Sequence, residues 1–203
     1  MTPDRWQTLM RGLGLAANEA TFAALLAAYR QPHRHYHTPR HIADCLQQFD
    51  ALRHEAEQPN AIELAIWFHD AIYDPYRSDN EQASADWAMR FLRENDLPAA
   101  LQGRVVALIL ATRHDAIATD RDTAILIDID LSILGSAADA YDTYRQAVRR
   151  EYRWVPGPLF RRSRRAVLES FLRRERIFLT DQFHASHEAR ARDNIGNELA
   201  RLG

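Results

Sequence analysis

Ile62-Glu63-Leu64-Ala65-Ile66-Trp67-Phe68-His69-Asp70-Ala71-Ile72-Tyr73-Asp74 is a largely apolar run with an imidazole and a carboxylate side by side near its end. The run lacks the strict alternation of a half-buried strand and reads as an apolar helix. An imidazole and a carboxylate at the end of such a helix are costly to bury without a partner. A divalent metal ion satisfies both, since neutral imidazole and carboxylate are ordinary ligands for zinc, manganese, iron and related ions.

Outward from this run, nearly every segment keeps a helical period and none shows sustained alternation. Helices are expected near 3–12, 17–30, 39–57, 60–72, 79–95, 98–114, 121–135, 138–153, 158–176 and 180–201. Pro32 opens a histidine-rich connection, Pro39 suits a first helical turn, and Pro75 ends the His69-Asp70 helix. Gly135 with Ser136 closes another helix, and Pro156-Gly157-Pro158 is the clearest late turn. The prediction is an all-α bundle forming a single domain over 1–203. Its metal-binding core spans about 30–135, with C-terminal helices 138–203 packing on it.

The 203 residues suffice for one domain with a sizeable core. At 46% hydrophobic and 27% charged, the composition is that of an ordinary globular chain. A formal charge of −2 exerts no global pull toward nucleic acid or acidic membranes. Cys45 is the single cysteine, which suits a reducing cytosol. No basic-then-apolar leader opens the chain and no apolar run approaches ~18 residues, so a cytoplasmic location without a membrane span is expected. Every basic side chain is arginine. A lysine Schiff base or lysine phosphate clamp is therefore excluded, and phosphate binding falls to the planar fork of arginine.

His41, then His69-Asp70, then Asp130, in that order on helices, resembles the HD superfamily of metal-dependent phosphohydrolases. The strings Tyr36-His37-Thr38-Pro39-Arg40-His41-Ile42, Phe68-His69-Asp70-Ala71-Ile72-Tyr73-Asp74 and Asp128-Ile129-Asp130-Leu131-Ser132-Ile133-Leu134-Gly135 are similar to one bacterial subgroup of about this length. So is the C-terminal Glu188-Ala189-Arg190-Ala191-Arg192-Asp193-Asn194. The resemblance implies an HD-type helical bundle holding a divalent metal on His41, His69, Asp70 and Asp130. It also implies hydrolysis of a phosphoester, a nucleotide or cyclic nucleotide, by metal-activated water. Tyr36-His37-x-x-x-His41 is similar to the Tyr-His-Asn-x-x-His string of cyclic-nucleotide phosphodiesterases, with Thr38 in place of Asn. By that likeness His41 is a ligand and His37 the general acid.

Other residues are weighed around this set. Asp128 and Asp130 sit two apart in an apolar helix and point roughly 200° from each other, so only one can face a metal. The resemblance places the ligand at Asp130 and leaves Asp128 behind it, orienting a ligand histidine. His114 either caps its own helix or joins a second metal. With few other histidines after His69, one tightly held ion is expected, with His114 near the pocket for substrate or a weak second ion. Asp74, about one turn beyond Asp70, can orient or deprotonate the attacking water, or simply stop its helix before Pro75. Arg77 is the nearest cation for a substrate phosphate and can also pair with Glu81. His33 and His35 read as polar loop, His54 as exposed helix, and His184 and His187 as part of an amphipathic C-terminal helix.

Arg145 to Arg176 holds eleven arginines against Glu151, Glu169 and Glu175. Such a run is chiefly a solvated helix face, and no nucleic-acid motif accompanies it. The expected partner is a small-molecule phosphoester, with monomer and dimer both open. The alternatives are a non-catalytic nucleotide- or metal-binding sensor of the same fold, and an iron-dependent oxygenase, which needs extra histidine ligands for which His114 alone is a thin supply.

Overall fold

The structure is a computed structural model that describes residues 1–114, 118 and 120–203. Ten α-helices follow in order: α1 (Pro3–Gly12), α2 (Glu19–Tyr29), α3 (Pro39–Leu52), α4 (Pro59–Phe68), α5 (Asn80–Glu94), α6 (Ala99–Ala111), α7 (Arg121–Leu131), α8 (Ala138–Glu151), α9 (Gly157–Leu172) and α10 (Asp181–Leu202). Short 3-10 turns, Arg53–Glu55 and Ser132–Gly135, extend α3 and α7. No strand occurs among the described residues, and the fold is all-α as the periodicity predicts. None of the described helices is long and apolar enough to cross a membrane. The chain divides into two compact units, Met1–Leu126 and Ile127–Gly203, with the boundary inside α7.

In the first unit α4 is central: every residue from Ala61 to Phe68 is buried. A helix apolar all round forms only when its neighbours cover it. Here α1, α3, α5 and α6 pack on it. Trp6, Trp67, Phe68 and Phe91 make an aromatic cluster, with Trp6 edge-on to Trp67 at 5.3 Å. Glu63, buried in α4, is compensated by Arg5 Nε at 2.9 Å and by Arg53. Buried Asp122 accepts the amides of Glu57 and Gln58 at 2.8 and 3.0 Å, which ties the start of α7 to the start of α4.

The end of α4 differs from the expected helix over 60–72. It stops at Phe68, because the carbonyls of Asp70 and Ala71 are taken by Arg34 (2.7 and 3.0 Å). Ile72 exchanges both of its backbone groups with the Ser84 hydroxyl. Side chains from distant positions thus satisfy groups that would otherwise continue the helix.

In the second unit α10 packs against α9 and the Ser132–Gly135 turn. The C-terminal string singled out in the sequence makes that packing. Arg190 donates to the Gly135 carbonyl (2.8 Å), and Asn194 donates to those of Leu134 and Ser136 (2.9 and 3.0 Å). Glu188 accepts the amides of Ile177 and Phe178. A Cβ on Gly135 would meet His187 Cβ at 2.5 Å, so close approach of α10, rather than turn conformation, requires glycine there.

Deeper in the same unit Glu198 accepts from Arg164 at 3.0 and 3.1 Å and from the Tyr141 hydroxyl at 2.5 Å. With side chains 10% and 2% exposed, Arg164 and Glu198 form a buried pair. Glu198→Ala would strand a buried guanidinium and is expected to cost about 3–5 kcal/mol of stability. Glu198→Gln should cost less, because it keeps an acceptor. Urea unfolding of the two variants gives the comparison, and equal, small losses would show the pair to be dispensable.

Candidate metal centre

His37 lies in the turn that leads into α3, and His41 lies in the first turn of α3, set by Pro39 at its start. His69 is the C-terminal cap of α4, and Asp70 follows it. The fold brings these four together. His41 Nε2 is 3.2 Å from His69 Nε2. Asp70 Oδ2 is 3.1 Å from His69 Nε2 and 3.5 Å from His41 Nε2. Three ligand atoms therefore form a near-equilateral triangle. A metal with bonds of ~2.1 Å holds neighbouring ligand atoms ~3.0 Å apart when octahedral and ~3.4 Å apart when tetrahedral, so the triangle fits such an ion.

The tautomer of His69 also fits. Its Nδ1 is 3.0 Å from the Ile66 carbonyl, which places the ring proton on Nδ1 and leaves the Nε2 lone pair toward the triangle. Both histidines are buried. Burial, the largest influence, opposes the charge on Asp70, but the His69, His37 and His41 rings beside it hold its carboxyl well below the usual range. Asp130 stands on α7, one turn beyond Leu126. It belongs to the compact unit that begins at Ile127.

His37 Nε2 is 4.0 Å from Asp70 Oδ2, and its ring stacks on Tyr73 with centroids 4.1 Å apart. It sits beside the triangle without belonging to it. Arg34, absent from the sequence reading, joins the two segments that carry the site. Besides the carbonyls of Asp70 and Ala71, it donates to that of His37 at 3.2 Å. Its side chain faces the Tyr29 and Tyr73 rings at 5.1 and 5.5 Å. A buried arginine inside a His-Arg-His loop leaves no local mark in a sequence.

The expectations for Asp128, for Asp74 and for an Arg77–Glu81 pair need correction. Asp128 orients no histidine. It is fully buried, and it accepts from the amides of Leu179 and Thr180 and from the Thr180 hydroxyl, all at 2.7–3.0 Å. Burial, the largest influence, pushes its carboxyl up to about 6 against those hydrogen bonds. Asp74 is not one helical turn from Asp70, because α4 has already ended. Its Oδ1 accepts the Tyr76 amide at 2.9 Å, and Asn80 brackets its backbone. Arg77 pairs with Asp79 (2.8 and 2.9 Å) rather than with Glu81. His114 adopts φ 57 just past the end of α6, and its amide donates to the Ala111 carbonyl, so its backbone finishes that helix.

Asp74 and Arg77 instead help line a cleft of about 560 Å³ with His33, Tyr73 and Trp87. His33 is more than polar loop: its Nε2 is 2.8 Å from the Tyr73 carbonyl. Its ring stacks against Tyr73 at 6.4 Å.

The contrast between the two aspartates gives a test. Asp128→Ala should cost about 1–3 kcal/mol through the amides left without an acceptor, with metal content unchanged. Asp130→Ala should lower metal content with little loss of stability. Elemental analysis alongside thermal unfolding separates them, and metal loss confined to Asp128→Ala would reverse the assignment.

No protein-family model matches the chain, and neither does any curated protein or solved structure.

Proposed function

We propose that this chain is a metal-dependent hydrolase of phosphoesters, acting on a nucleotide or cyclic nucleotide. The observation that carries the reading is the buried triangle of His41 Nε2, His69 Nε2 and Asp70 Oδ2, with edges of 3.1 to 3.5 Å. The resemblance of these residues, with Asp130, to the HD superfamily supports it. A divalent ion would be held there by His41, His69 and Asp70, with Asp130 as the further ligand that the resemblance implies, and would supply Lewis acidity and an activated water.

The remaining work falls to side chains of the chain itself. His37, held against Tyr73, carries on Nε2 the proton for the leaving oxygen. The Ile66 carbonyl keeps the His69 ring in the tautomer that turns a lone pair inward. Arg77 gives Nε and Nη2 to Asp79 and keeps Nη1 for a phosphate oxygen. Asp74, committed to its own loop, takes no part in the proton transfers.

The test is elemental analysis of untagged protein, followed by assays on nucleotides and generic phosphoesters with added manganese, cobalt, nickel or magnesium. About one ion per chain is expected, together with hydrolysis that a chelator abolishes. Bound metal with no chelator-sensitive turnover on any phosphoester would replace the enzyme with a binding-only sensor.

A further inference from the structure

The cleft beside the metal triangle holds two hydrogen-bond acceptors that the proposed hydrolysis does not use. Its volume, about 560 Å³, is of the size that encloses a small ligand. Ala28, Ile72 and Trp87 give it an apolar wall, and His33, Asp74 and Arg77 supply polar groups. All of these lie within Met1–Leu126, the unit that also carries His41, His69 and Asp70. Tyr73 joins the two places: it lines the cleft, and its ring stacks on His37 with centroids 4.1 Å apart.

His33 Nε2 donates to the Tyr73 carbonyl at 2.8 Å, so Nδ1 of the neutral ring is an acceptor, and it has no partner among the described residues. Asp74 Oδ1 accepts the Tyr76 amide at 2.9 Å, and among the described residues Oδ2 has no partner either. Two acceptors cannot satisfy each other, and together they match a ligand with neighbouring hydrogen-bond donors. A cation stands close by. The Arg77 amide donates to the Asp74 carbonyl at 3.0 Å, which folds 74–77 into one tight turn. The ligand's donors therefore belong near its anionic group.

We propose that this cleft binds the nucleoside part of a 5′-ribonucleotide, with Asp74 and His33 on the 2′- and 3′-hydroxyls and the base against the apolar wall. A vicinal diol offers two adjacent O–H donors, and it sits one sugar ring from the phosphate that Arg77 takes. The donor edge of a base lies farther from the phosphate, across the sugar. A sugar phosphate without a base leaves Ile72 and Trp87 uncovered. The assignment rests on the proposed hydrolase and narrows its substrate to ribonucleotides with both hydroxyls free.

Calorimetry on the whole chain in the presence of a chelator, where metal-dependent hydrolysis is silent, tests the cleft apart from the reaction. The probes are the four 5′-ribonucleoside monophosphates, their 2′-deoxy forms and ribose 5-phosphate. At least one ribonucleotide should bind, ~10–100-fold more tightly than its 2′-deoxy form, the range for a hydrogen bond to a charged group. Ribose 5-phosphate should bind more weakly than that ribonucleotide. Asp74→Ala should bring the ribo-to-deoxy ratio close to one. Asp74→Asn keeps an acceptor for the Tyr76 amide but no charge, and should give a ratio below that of the wild type. Circular dichroism confirms that each variant is folded. Each of the following overturns the proposal: no binding of any ribonucleotide, equal affinity for the 2′-deoxy form or for ribose 5-phosphate, or an unchanged ratio in a folded Asp74 variant. The ribonucleotide preference without chelator-sensitive turnover would instead keep the cleft and remove the hydrolase.

Discussion

Asp70→Ala is expected to empty the metal site, lowering metal affinity well beyond the ~10–100-fold typical of losing an outer hydrogen-bond partner. Oδ2 of this residue is the corner of the triangle that brings negative charge, 3.1 Å from His69 Nε2 and 3.5 Å from His41 Nε2. Without it, two buried imidazoles 3.2 Å apart face a dication with one anion fewer. The backbone should not move, because Arg34 grips the Asp70 carbonyl rather than its carboxylate. Loss of metal with an unchanged helical spectrum is therefore the expected pair of results. Asp70→Asn separates charge from shape: it fills the same space, yet should also bind weakly. Manganese titration by calorimetry and elemental analysis of purified protein measure both variants. Wild-type stoichiometry in Asp70→Ala would remove this residue from the ligands and leave the metal to His41, His69 and Asp130.

His37→Asn is expected to keep both metal and fold while lowering turnover by ~10²–10⁴-fold, the usual contribution of a positioned proton donor. The imidazole stands outside the triangle, 4.0 Å from the Asp70 oxygen, and is held by stacking rather than by a shared ligand position. Its loss should matter most for esters of poor leaving groups, such as a ribose hydroxyl. The loss should shrink toward unity for nitrophenolate, a weakly basic oxygen that departs without a proton. Removing a ligand has another signature, since His69→Ala should abolish turnover on both ester types together with the metal. Comparing kcat for the two esters in both variants distinguishes the roles. Equal losses on both esters with metal retained would make His37 a substrate contact.

How far the site could be read in advance differs from residue to residue. His69 and Asp70 stood out because a charged pair closing an apolar run is anomalous on local grounds. His41 was legible only together with them. That only one of Asp128 and Asp130 can face a metal followed from their opposite directions on one helix, and the choice of Asp130 came from the resemblance to the HD superfamily. What Asp128 does was not legible, because its acceptors serve Leu179 and Thr180, about fifty positions away. Asp74 was misplaced for a similar reason. Helical spacing does not continue through 69–72, where Arg34 and Ser84 take over the backbone.

By itself the sequence determined the helices and most of their limits. A period of 3.6 residues, proline at first turns and glycine or proline at breaks are local properties, set by a few neighbouring side chains. It also determined which polar residues were too costly to bury unaided. The tertiary structure alone decided where those polar groups find partners: Arg34 on three carbonyls, Asp128 on the loop before α10, and Gly135 pressed against His187. Each joins positions separated in the chain by a few to more than fifty residues, through directional hydrogen bonds or close contact. No periodicity encodes such pairings, because they exist only once the apolar faces have packed and fixed which backbone groups are left to satisfy.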